Sequence, residues 1–91
     1  MHDWTLLSIL IDWIAGTATI TFRNEKSEEV RLVAEGILDI HVPKREEWGR
    51  SVSINDVIGP QCDSDGNISV ELEVQSGDLI KLVARSVSMP S

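Results

Sequence analysis

Aromatic residues, cysteines and basic residues are all scarce in this chain, and each scarcity narrows what it is. There is one Phe, there are three Trp, and there is no Tyr. A core must therefore be assembled from Ile, Leu and Val. Cys62 is the single cysteine, which excludes an intrachain disulfide. Small secreted domains usually rely on such staples, so a reducing, cytoplasmic setting is expected. The start Met1-His2-Asp3-Trp4 lacks the basic residues of a signal peptide. The apolar run Leu6 to Leu10 stops before Asp12, far short of the roughly 20 residues that span a bilayer, so no membrane is expected. The glycines are separated, which leaves no phosphate-binding glycine loop.

Basic charge is the other deficit: 8 Lys and Arg against 15 Asp and Glu give a net charge of −7. The eight are scattered as Arg23, Lys26, Arg31, Lys44, Arg45, Arg50, Lys81 and Arg85. Lys44-Arg45, the nearest to a cluster, is followed at once by Glu46-Glu47. Such a surface repels phosphate backbones, so a nucleic-acid partner is excluded. It suits solubility or a basic protein partner.

What is present is apolar alternation with a period of two, over one domain covering residues 1–91. Leu7, Ile9, Ile11 and Trp13 fall on one face of a first strand. Ala18, Ile20 and Phe22 fall on one face of a second, with Thr17, Thr19, Thr21 and Arg23 opposite. A turn at 14–17 containing Gly16 would pair Trp13 with Ala18, Ile11 with Ile20 and Ile9 with Phe22. Residues 30–42 fit both templates in part. A helix would gather Val30, Val33, Ala34, Ile37 and Leu38, capped by Ser27. A strand gathers Val30, Leu32, Ala34, Gly36, Leu38, Ile40 and Val42 without a miss, and is preferred. Extended, that stretch would reach roughly 43 Å, so a bend or bulge at Gly36 is expected to divide it in two. Pro43 ends it.

Val52 and Ile54 make a short strand that Gly59-Pro60 breaks, and Asp63 to Asn67 is a turn. The last hairpin faces Ile68, Val70, Leu72 and Val74 inward, answered by Ile80, Leu82 and Ala84. A loop Gln75-Ser76-Gly77, with Gly77 left-handed, sets Leu72 opposite Ile80, Val70 opposite Leu82 and Glu71 opposite Lys81. The predicted fold is all-β: a small antiparallel β-sandwich or barrel of about seven strands. Leu10, Val33 and Ile37 offer a second apolar face that a homo-oligomer would bury.

Catalytic and metal constellations are thin. Asp63-x-Asp65-x-Asn67 opens like a calcium loop, but Ile68 and Val74 stand where that loop needs Gly and Glu. His2 and His41 are the only histidines, and a metal site would need a carboxylate or Cys62 brought beside them; His41 falls on the polar face of its strand and His2 lies at the terminus. Cys62 lacks a neighbouring base, and no nucleophile elbow occurs. No enzyme, no cofactor and no metal are expected. Trp48, in the charged loop 44–51, either anchors a partner or folds back over one end of the fold; the cost of exposing so large a ring favours the second. His41, Ser53 and Asn55 join Trp48 as candidate binding residues.

Two segments have a familiar look: His2-Asp3-Trp4 through Ile11-Asp12-Trp13 to Gly16, and Val42-Pro43-Lys44-Arg45-Glu46-Glu47-Trp48-Gly49-Arg50-Ser51-Val52-Ser53-Ile54-Asn55. They resemble a family of short uncharacterised bacterial proteins, some of them similar to immunity-type proteins of toxin systems. The resemblance covers about half the chain and implies no catalytic residue. Two functions follow as expectations: a non-enzymatic protein-binding or structural module, immunity-like if the resemblance extends so far, or a small-molecule or carbohydrate-binding domain with a cleft near Trp48.

Overall fold

Among the described residues, alternating Ile, Val, Leu and Thr carry the chain into six strands and no helix. The computed structural model describes residues 4–43, 52–75 and 77–90. The strands are β1 (Thr5–Asp12), β2 (Thr17–Arg23), β3 (Glu29–His41), β4 (Val52–Cys62), β5 (Ile68–Val74) and β6 (Leu79–Ser88). They form one antiparallel sheet in the order β1-β2-β3-β6-β5-β4 that closes on itself as a barrel. Closure is brief: β1 meets β4 at Thr5↔Ser53 and Leu6↔Val52. Trp4 strengthens that seam, because its carbonyl accepts the Ile54 N–H at 2.8 Å.

The inward faces share one core. Phe22, Ile20, Leu32, Ile54, Leu72, Ile80 and Leu82 are fully buried, and among the described residues no polar side chain is buried with them. Burying each such side chain contributes about 1.5–3 kcal/mol. Among the described residues no helix is long and apolar enough to cross a membrane.

The β5–β6 hairpin has the expected register, with Leu72↔Ile80, Val70↔Leu82 and Glu71↔Lys81. It is closed by the Val74 N–H donating to Asp78 O at 3.0 Å, and Gly77 takes a φ of 93°. Glu71 and Lys81 face each other without an ion pair joining them.

Three expectations need correction. First, β1 pairs with β2 two residues out of the expected register: Ile9 lies opposite Ile20 and Ile11 opposite Ala18. The turn is a four-residue loop over 13–16, capped by Asp12, whose Oδ1 accepts the Ala15 N–H at 3.1 Å. A bulge between Leu6 and Ser8 turns Leu6 inward opposite Phe22 and Leu7 outward. Trp13 therefore leaves the core face and rides on the loop.

Second, β3 is one strand of 13 residues rather than two, so the described residues hold six strands, close to the expected number of about seven. Held straight it would exceed the molecule's longest dimension of 34 Å, so it must bend. It bends without breaking. Gly36 takes a φ of 68°, and the register slips between Ile37 and Asp39. The inward face shifts at Gly36 and shifts back at the slip: Ile37 packs against the core three residues after Ala34, Ile40 three residues after Ile37, and Leu38 turns out between them. The expected second apolar face of Leu10, Val33 and Ile37 thereby loses Ile37.

Third, β4 runs through Gly59-Pro60 to Cys62, with register shifts between Ile54 and Asp56 and between Ile58 and Gln61. Proline is tolerated because it falls within the register shift between Ile58 and Gln61, where the ladder to β5 is interrupted and does not need its missing N–H. Gly59 is required by close approach: a Cβ there would stand 2.7 Å from the Ser69 carbonyl oxygen.

Candidate functional site

Alternation supplies more apolar residues to β1 and β3 than the barrel interior accepts. Part of the surplus lies around the β1–β2 loop and the outer half of β3. The β1–β2 loop raises Trp13, which is 85% exposed, and Ile14, which is fully exposed. Leu10 on β1 is 68% exposed, and Leu38, turned out by the β3 bulge, is 50% exposed. Large apolar side chains grouped on a surface mark interaction sites more often than singly scattered ones do.

Between the loop and the outer half of β3 lies a groove of about 370 Å³. Ile37 and Ile40 line it and also pack on the core, so its floor is rigid. Ile11 and Trp13 line the β1 side, Leu38 the β3 side, and the carboxylates of Asp12 and Asp39 stand among them. The loop is tied to β3 by the Ile37 N–H, which donates to Gly16 O at 3.0 Å. The aliphatic stem of Arg85 packs over Gly36, 3.0–3.1 Å from where a Cβ would lie. The result is an apolar surface with acidic edges, held in place by the barrel.

The residues singled out in the sequence are distributed differently. Trp48 lies outside the described residues. His41 ends β3, exposed and opposite Lys81. It lines a shallow groove of about 300 Å³ with Pro43, Gly77, Asp78, Leu79 and Lys81. Ser53 is the second residue of β4, half-buried, and its carbonyl accepts the Gln75 N–H at 2.8 Å. Asn55 is exposed, and its Nδ2 donates to Val74 O at 3.5 Å. Strands β6 and β5 stand between β3 and β4 in the sheet, so Ser53 and Asn55 do not line the groove that His41 lines. Sequence reasoning missed Trp13 and Ile14 as exposed residues. Asp12 four residues before Gly16 was the available signal, an acceptor placed to cap a loop.

Elsewhere the polar groups serve the fold. Asp63 Oδ1 accepts the N–H groups of Asp65 and Asn67, both at 2.9 Å, so the carboxylate is spent on its own turn. Cys62 is an exposed free thiol. Among the described residues no three His, Cys, Asp or Glu side chains gather to hold a metal ion. At the opposite end of β2, Trp4 packs its ring 6.1 Å from that of Phe22 and donates its indole N–H to Glu25 at 2.6 Å. A backbone N–H hydrogen bond, this indole and the charge of Lys26 hold the Glu25 carboxyl below its ordinary value.

No family model matches the chain, and no curated protein matches it. Among solved structures, an uncharacterized protein from Neisseria gonorrhoeae superposes with a TM-score of 0.66 at 13% identity, over 97% of this chain and 90% of that one. At that identity the likeness shows a shared fold alone: an all-β architecture whose β-barrel positions the groove described above.

Proposed function

We propose that this is a non-enzymatic protein-binding module that acts through the end of the barrel bearing the β1–β2 loop. The observation that carries the reading is Trp13, 85% exposed on a capped, tethered loop beside an apolar groove. Water-facing Trp and Ile side chains gain nothing for the folded monomer, whereas buried aromatic anchors dominate protein interfaces. An immunity-type role, which the resemblance implies, would be one instance, with a toxin as the partner.

The test is a random peptide-display library panned on the wild type and on a Trp13→Ser/Leu38→Ser variant. Both positions are at least half exposed, so the variant keeps its circular dichroism and melting curve. Peptides enriched on the wild type and lost on the variant support the reading. Enrichment that is equal on both proteins, or absent from both, refutes it.

A further inference from the structure

We propose that the groove beside the β1–β2 loop receives an extended segment of a partner protein in which one or two large apolar side chains are flanked by Lys or Arg. The proposal rests on the protein-binding reading above and specifies its partner. The apolar part follows from the lining: Ile11, Trp13, Ile37, Leu38 and Ile40 leave room for aliphatic or aromatic anchors. The basic flanks follow from the carboxylates. Asp12 commits Oδ1 to the Ala15 N–H and keeps Oδ2. Asp39 is exposed, and among the described residues no hydrogen bond or ion pair engages it. Glu35 lies opposite Thr17, next to the loop, and adds to the same sign. Arg85 on the adjacent β6 strand is the opposing cation, its stem laid over Gly36.

Charge then selects among occupants. The chain carries a net −7. A second copy docking on this face by a two-fold axis would bring Asp12 and Asp39 toward their own images. A Lys- or Arg-flanked segment meets them with opposite charge and is steered by the field of the whole molecule. The extended shape follows from the ladder. Beyond Ile37, whose N–H is held by Gly16 O, the described residues of β3 keep strand pairing on the β6 side alone, so the groove runs beside a strand edge with no ladder partner among the described residues.

Three display libraries test this, each with randomised large apolar positions and with flanking positions fixed as Lys, Ser or Glu. The Lys-flanked library should yield binders that lose affinity on Trp13→Ser/Leu38→Ser. The same binders should weaken about three- to tenfold on Asp12→Asn/Asp39→Asn, the scale of two exposed ion pairs. Asn retains the Oδ1 acceptor, so the loop stays capped. Raising ionic strength to about 0.5 M should remove most of the difference between wild type and Asn variant. Ser- or Glu-flanked binders of equal strength and equal dependence on Trp13 would overturn the basic-partner inference while leaving the binding reading intact. No Trp13-dependent binder from any library would overturn both. Concentration-dependent dimerisation of the wild type, abolished by Trp13→Ser/Leu38→Ser in light scattering, would make a second copy the occupant and overturn the inference.

Discussion

The two hairpins that bracket the chain are built from similar strand-forming residues and come out differently. In β5–β6 Val70, Leu72, Val74, Ile80, Leu82 and Ala84 are all buried in the core, the loop is short, and no large apolar residue among those described is strongly exposed. In β1–β2 the strand carries a bulge at its start and a capped loop at its end, and Leu10, Ile11, Trp13 and Ile14 stay at the surface. The first hairpin spends its apolar residues on stability. The second holds several that stability does not use, and two of them, Ile11 and Trp13, line a groove. That contrast locates the candidate interface more firmly than any single residue does.

The contrast can be broken by substitution. Leu72→Ala, in the fully buried β5 row, should cost about 2–5 kcal/mol in urea unfolding. If it costs less than 1, the β5–β6 core is looser than its burial implies. Gly59→Ala should cost about 1–3 kcal/mol, because a φ of 104° and a Cβ 2.7 Å from the Ser69 carbonyl oxygen are both unfavourable. Gly66→Ala, with a φ of 83° but open space around it, isolates the backbone part of that cost and should lose less. Trp13→Ser and Ile14→Ser should each change stability by no more than about 0.5 kcal/mol. A loss of about 2 kcal/mol from either would place that side chain in the core and remove the candidate site.

The smallest expected effect concerns pH. Glu25 has its carboxyl lowered below 4.5, first by a backbone hydrogen bond and then by the Trp4 indole. A depressed carboxylate contributes stability above its unfolded value and loses it as pH falls through the folded one. The indole N–H resonance of Trp4 should therefore stay constant from neutral pH down past the ordinary glutamate range and shift only below it. Glu25→Gln should abolish that titration. A midpoint at or above 4.5 would contradict the hydrogen bond.

Alternation made the strand class legible from the residues, and it made the β5–β6 register legible too, because the short loop ending at Gly77 keeps Ile68 to Val74 and Ile80 to Ala84 on the same side. The bulges were hidden. A bulge adds one residue without changing the composition, so Leu7, Leu38 and the β4 run through Pro60 were assigned to faces or breaks by a parity that the bulge cancels. The candidate site was less legible still. Its anchors, Trp13 and Ile14, read as ordinary strand and turn residues, and His41, Ser53 and Asn55 drew attention by their chemistry rather than by any shared location.

Residue order dictated that this chain forms strands, which of β2, β5 and β6 faces inward, and that its charge is acidic. Those properties follow from local spacing and composition. Closure into a barrel decided the rest: how far β1 slides along β2, where β3 bends, and which apolar side chains are left over. Those outcomes depend on the curvature six strands need to meet and on the limited volume they enclose, quantities that no stretch of sequence carries alone.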